Sequence, residues 1–166
     1  METQNLTPFD AVVLMSFGGL VEVGEHYYGF GGKSPINDQN RRLLDALRRE
    51  FERRGITTPV LWGNRNWDPY LTDTVRDFAK RTGGSRFLAI DTSAYSCYSS
   101  CRQYREDFAN TRNVLAQEGL AVSFEKVRQY YNHPGFAYAE LDCVHRGLTN
   151  LIQKVGPLDP QKHRLL

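Results

Sequence analysis

Unbroken apolar runs alternate along this chain with stretches whose apolar residues recur every three or four positions, the signature of buried strands interleaved with amphipathic helices. Residues 10–17 form the first run, with Ala11, Val12, Val13, Leu14 and Met15 at its centre, bounded by Pro8 and by Gly18-Gly19. Such a run predicts a central strand buried on both faces. A short helical stretch is expected over 20–28, then a loop over 29–37, where glycines and Pro35 exclude regular structure and carry Lys33 and Ser34. From Asn37 onward, Leu43, Leu44, Leu47 and Phe51 mark the apolar stripe of a helix whose other positions hold Arg41, Arg42, Arg48, Arg49 and Glu50, and Gly55 stops it. Residues 59–63 form a second strand. Asp68 and Pro69 are placed to cap and open the next helix, which turns Leu71, Val75 and Phe78 to the core and ends at Gly83-Gly84.

The third strand falls within 86–91, and Tyr104, Phe108 and Leu115 then predict a helix to about Gln117, closed by Gly119. A fourth strand is expected over 120–127. His133-Pro134 opens the longest helix, with Ala137, Leu141, Val144, Leu148, Leu151 and Val155 in register, and Gly156-Pro157 closes it. Residues 163–166 resemble the start of a fifth strand. This alternation predicts an α/β fold, a parallel sheet flanked by helices on both faces in a Rossmann-like or flavodoxin-like arrangement. Ligands of such sheets collect beyond the carboxyl ends of the strands, so the loops 17–33, 64–67 and 92–100 should open on one edge.

With 166 residues, the chain fits a tail over 1–9 and one domain over 10–166. Lys and Arg number 21 against 19 Asp and Glu, a net charge of +2, which gives no global field for nucleic acid or an anionic membrane. No apolar run is long enough for a transmembrane segment and the first residues lack signal-peptide character, so a cytoplasmic protein is expected. The 3 cysteines, Cys97, Cys101 and Cys143, are too few for a disulfide framework and read as thiols. No Gly-x-Gly-x-x-Gly or P-loop occurs, which leaves nucleotide binding without support.

Chemistry concentrates in 91–107, where a buried strand runs into hydroxyls and aromatic rings: Thr92, Ser93, Tyr95, Ser96, Tyr98, Ser99, Ser100 and Tyr104. That surface suits a large flat ligand with polar edges. The competing reading is structural, with Ser99 or Ser100 as a helix N-cap and the tyrosines as half-buried packing.

Several motifs, in this order, resemble the first half of ferrochelatases, the actinobacterial coproporphyrin type most closely. They are Ser16-Phe17-Gly18-Gly19, His26-Tyr27-Tyr28 with the loop 30–37, the run 62–70 from Trp62 to Tyr70, the run 92–104, and Asn132-His133-Pro134-Gly135-Phe136. The resemblance implies the amino-terminal lobe of a two-lobed enzyme that inserts ferrous iron, as substrate, into coproporphyrin III to give Fe-coproporphyrin III in haem biosynthesis. The second lobe of the same protein is expected as its partner. Ser34, Tyr104, Phe17 and Tyr95 are implied as porphyrin-binding residues. Some family members place a tyrosine at position 17 as an iron ligand; Phe17 has no donor atom and can only pack on the macrocycle. The family's catalytic histidine stands in a His-Ser motif that His26, His133, His145 and His163 do not match, so no catalytic residue is expected here. A lip segment usual in the family is missing between Gly19 and Leu20. Many actinobacterial relatives carry a [2Fe-2S] cluster, to which Cys101 and Cys143 are candidate contributors. The alternatives are a non-catalytic tetrapyrrole-binding module, a truncated chelatase lobe, and a flavodoxin-like domain whose loops serve a protein partner.

Overall fold

In the computed structural model, which describes residues 6–19, 32 and 34–159, the run of apolar residues at 11–16 becomes strand β1 (Ala11–Ser16), buried at every position. Two-sided burial follows from its place inside a four-stranded sheet of order β2-β1-β3-β4. All pairings are parallel, between β1 and β2 (Val60–Asn64), β1 and β3 (Arg86–Asp91), and β3 and β4 (Ser123–Lys126). Parallel neighbours need crossovers, and the helices supply them: α1 (Ile36–Arg53), α2 (Leu71–Thr82) and α3 (Gln103–Gln117).

Because successive strand residues point to opposite faces, β1 feeds two cores. Ala11, Val13 and Met15 join Leu71, Val75 and Phe78 of α2 and Tyr104, Phe108 and Leu115 of α3. Val12 and Leu14 join Leu44 of α1 with Val60 and Trp62. Helices thus cover both faces, as the alternation predicts. In the larger core Phe87 is fully buried, edge-on to Phe78 at 5.7 Å and stacked on Phe124 at 5.5 Å, while Phe108 stacks on Phe124 at 5.0 Å. At the opposite, amino-terminal edge, the Asp10 carboxylate accepts the N–H groups of Ser85 (2.7 Å) and Arg86 (2.9 Å), which tie the starts of β1 and β3 together. Those hydrogen bonds hold its carboxyl below the usual range.

The described residues divide into two compact units, one within 1–128 and one within 129–159. The second contains α4 (Pro134–Val155), with Pro134 in its first turn. His133 caps it as expected, its Nδ1 accepting the Gly135 N–H at 3.1 Å. Tyr130 meets Phe136 edge to face at 5.5 Å.

The structure departs from the sequence pattern at three element boundaries. α2 begins at Leu71 with Tyr70 at its N-cap, so Asp68 does not cap and Pro69 does not open it. The reason is that the backbone there is already engaged: Pro69 O accepts the Asn64 N–H at 2.7 Å and Asp68 O accepts Asn64 Nδ2 at 3.3 Å. α3 has no serine cap, because one π-helical turn, Tyr98–Arg102, leads into it and its N-cap Arg102 is itself helical. β4 covers only Ser123–Lys126, since Leu120 N–H still bonds Leu115 O at the end of α3. The helix expected over 20–28 and the strand start at 163–166 lie outside the described residues, as do His26, Lys33 and His163.

Phe87→Ala removes the ring at the centre of the aromatic stack and is expected to cost about 3–5 kcal/mol of stability. Urea unfolding followed by circular dichroism should show a lowered midpoint at unchanged slope; an unchanged midpoint would refute this description of the core.

Candidate functional site

The carboxyl edge of the sheet is built on one hydroxyl. Ser16 ends β1 fully buried, and its Oγ accepts Asn40 Nδ2 of α1 (2.7 Å) and Trp62 Nε1 of β2 (3.2 Å) while it donates to Asn64 Oδ1. A serine hydroxyl has one proton and two lone pairs, so all of its capacity is used. The strand then continues as a scaffold for loops: Arg65 N–H donates to Ser16 O at 2.9 Å, and Asn66 gives Phe17 O both its backbone N–H (3.0 Å) and its Nδ2 (3.1 Å).

Two glycines let the chain pass this point. Gly18 has φ +74°, and a Cβ on it would lie 2.9 Å from Asn64 Cβ. A Cβ on Gly19 would strike Ile36 Cγ2 and the Ser34 hydroxyl. Asn37 clamps Gly19 from α1, its Oδ1 accepting the Gly19 N–H at 3.2 Å and its Nδ2 donating to Gly19 O at 2.8 Å. The clamp presses the half-buried Ser34, whose Oγ accepts the Ile36 N–H at 3.4 Å, onto the turn that carries Phe17.

On the other side of β1, Thr92 N–H bonds Met15 O at 2.9 Å, which aligns the loop after β3 with the same edge. Ser93 Oγ donates to Tyr95 O at 3.0 Å. Phe17 and Tyr95 are about half exposed, at 49% and 53%. Tyr98 is exposed beneath the Arg102 guanidinium, 5.3 Å from its ring centre. Tyr104 is different: it is 3% exposed, part of the α2–α3 core, and its hydroxyl hydrogen-bonds with Thr92. Burial, before any charge effect, raises its phenol above the usual range. The edge thus gathers Phe17, Ser34 and Tyr95 from neighbouring loops, with Tyr104 underneath.

Sequence reading missed the polar layer behind this rim. The Arg65 guanidinium donates to Gln103 Oε1 and lies 3.5 Å from Asp107 of α3. Desolvation pushes the Asp107 carboxyl up; Arg65 partly offsets this, and Glu106 adds to it. Behind them is a cavity of about 110 Å³ lined by Met15, Asn64, Arg65, Tyr70, Asp107 and Thr111 among others. At the end of β3, Asp91 and Lys126 form a buried ion pair at 2.9 Å. The unbroken apolar run of β1 hides Ser16, and only its place at the end of that run, one residue before the paired glycines, could have singled it out.

Cys101 lies in the π-helical turn and Cys143 on α4, in different compact units. Among the described residues no group of three or more His, Cys, Asp or Glu side chains could hold a metal.

A family model described as Ferrochelatase matches residues 14–165. The coproporphyrin III ferrochelatase of Streptomyces coelicolor is 47% identical over 174 residues, covering 90% of this chain and 46% of that protein. That of Leifsonia xyli is 43% identical over 176 residues, with 92% and 45% covered. The ferrochelatase of Rhodopirellula baltica is 44% identical over 170 residues, with 88% and 48% covered. The chain spans about half the length of the curated relatives it matches. Because 90% of 166 residues is about 149, roughly 25 positions of the Streptomyces coelicolor alignment have no residue in this chain.

Ser16→Ala leaves Asn40, Trp62 and Asn64 each with a buried polar atom unpaired, and should lower stability by at least about 2 kcal/mol in urea unfolding. A near-neutral result would show that the hydroxyl is no keystone. For Asp107 the raised carboxyl means that the fold disfavours the ionised form. Its native state binds the proton at higher pH than the unfolded chain, so stability falls as pH rises from the usual carboxylate range through the raised value. Asp107→Asn should therefore raise the thermal midpoint near neutral pH and lose that advantage below about pH 4. A gain that stayed constant across the titration would contradict the assignment.

Proposed function

The chain belongs to the ferrochelatase family, and from that premise we propose that it is the porphyrin-binding, amino-terminal half of an enzyme that inserts ferrous iron into coproporphyrin III, yielding Fe-coproporphyrin III. The observation that carries this reading is the convergence of Phe17, Ser34 and Tyr95 on one edge, beyond the carboxyl ends of the adjacent strands β1 and β3. A tetrapyrrole offers a wide apolar face and carboxylates at its periphery. The exposed rings of Phe17 and Tyr95 pack against the face, and the Ser34 hydroxyl donates to a propionate. Tyr104 works from below, holding Thr92 and the end of β3 in place.

Insertion also needs a base for the pyrrole protons. His133 is engaged as a helix cap and His145 lies exposed on α4, its carbonyl accepting the Thr149 hydroxyl. Neither is assigned to the chemistry, and we place the base, together with the second lobe, outside the described residues. A cytoplasmic location accords with the absence, among the described residues, of any helix long and apolar enough to cross a membrane.

Titration of coproporphyrin III into the protein, followed at the Soret band, tests the binding half of the proposal. Saturable binding is expected, and Phe17→Ala and Tyr95→Ala should each weaken it about two- to tenfold. Affinity indifferent to both substitutions would remove these residues from the site. Loss of ferrous iron from solution during the same titration of the whole protein separates a chelatase from a carrier: a carrier shifts the Soret band and consumes no iron.

A further inference from the structure

A second surface, between α3 and β4, has its own chemistry. Between α3 and β4 lies a groove of about 360 Å³ lined by Arg105, Phe108, Ala109, Arg112, Phe124 and Lys126. Its floor is the stacked pair Phe108 and Phe124, with ring centres 5.0 Å apart. Lys126 is occupied by Asp91. Arg105 and Arg112 are exposed, and neither has an ion-pair partner among the described residues. The acidic side chains nearby are engaged elsewhere: Glu106 with Arg102, Asp107 with Arg65, and Glu125 with Arg86. Seven residues apart on one helix, the two arginines lie on the same face about 10 Å apart along its axis.

We propose that this groove is a docking site for an acidic segment of a partner protein, one that sets two carboxylates about 10 Å apart on either side of an apolar side chain. The apolar side chain seats on Phe108 and Phe124, and each carboxylate pairs with one guanidinium, the planar donor best matched to it. Among the described strands, β4 is last in the sheet order. Arg105 also borders Ser96, Cys97 and Tyr98 of the rim loop, whereas Arg112 lies about two turns further along α3; the inference does not rest on the proposed chelatase reaction.

The test uses a fluorescein-labelled helical peptide of about a dozen residues with glutamates seven positions apart and a leucine midway. Fluorescence anisotropy should show saturable binding that Arg105→Glu and Arg112→Glu each weaken at least tenfold, while the doubly substituted protein binds the same peptide carrying lysines in place of the glutamates. Both positions are exposed, and an unchanged thermal midpoint will show that the variants fold. A scrambled peptide of equal charge that binds as well, or affinity unmoved by either substitution, overturns the proposal. So does a concentration-dependent dimer that Arg112→Glu dissociates, since a second copy would then be the occupant. Porphyrin binding by the Arg112→Glu protein should stay as in the parent; its loss would also count against a site of its own.

Discussion

The Ser16 hydroxyl is the point through which the carboxyl edge of the sheet is held. It lies at the end of β1, the one described strand buried at every position, and its hydrogen bonds reach Asn40 of α1 and Trp62 and Asn64 of β2. A buried hydroxyl with every hydrogen-bonding site filled is stiff, because any shift leaves a polar group unsatisfied in a low dielectric. Strands bury apolar area without much positional discrimination. The serine supplies direction, fixing where β1 stops and hence where Phe17, Gly18 and Gly19 emerge.

Around that fixed point the loops are secured by backbone contacts rather than by their own packing. Asn66 holds Phe17 O twice, Asn37 holds both backbone groups of Gly19, and Thr92 N–H holds Met15 O. Each belongs to a different connection, so the edge behaves as a single frame. The tight approach of Gly19 to Ser34 and Ile36 makes the point sterically, since even a methyl group there meets atoms on α1 and on the loop before it. Side chains mounted on such a frame would lose little further backbone freedom on binding a ligand, which is how preorganisation raises affinity.

Most of the architecture was legible in the order of runs and periods. β1, the stripe Leu71, Val75 and Phe78, and the stop at Gly119 follow from apolar spacing and from where a left-handed backbone is needed. Boundaries were less legible where side chains or backbone of remote residues intervene. Asp68 carries a good capping signal, yet Asn64 claims the backbone there, and no local rule sees a residue four positions back acting through its amide. The rim loops were legible as a group because parallel topology sends every strand-to-helix loop to one edge. The Arg65, Gln103 and Asp107 cluster was not, since Arg65 sits 38 positions from Gln103 and farther still from Asp107, and none stands out from its neighbours in type.

The aromatic rings divide into those that pack the core and those left exposed at the edge of the sheet. Within the strands, Phe87 and Trp62 are buried, and Phe108 and Tyr104 join them from α3. Phe17 and Tyr95, which follow β1 and β3 by a few residues, are half exposed although the same sheet could have hidden them had the loops folded inward. They are held outward by hydrogen bonds to their own carbonyls, from Asn66 and Ser93. Leaving a large ring in water forgoes about 1.5–3 kcal/mol of burial, so two rings kept out by dedicated donors at one edge point to a surface that finishes its burial against something else. Tyr104 shows the converse: its ring completes the core, and only its bond to Thr92 connects it to the rim. Two tyrosines from one sequence stretch therefore do different work, one at the surface and one beneath it, a division set by which side of the β3 end each occupies.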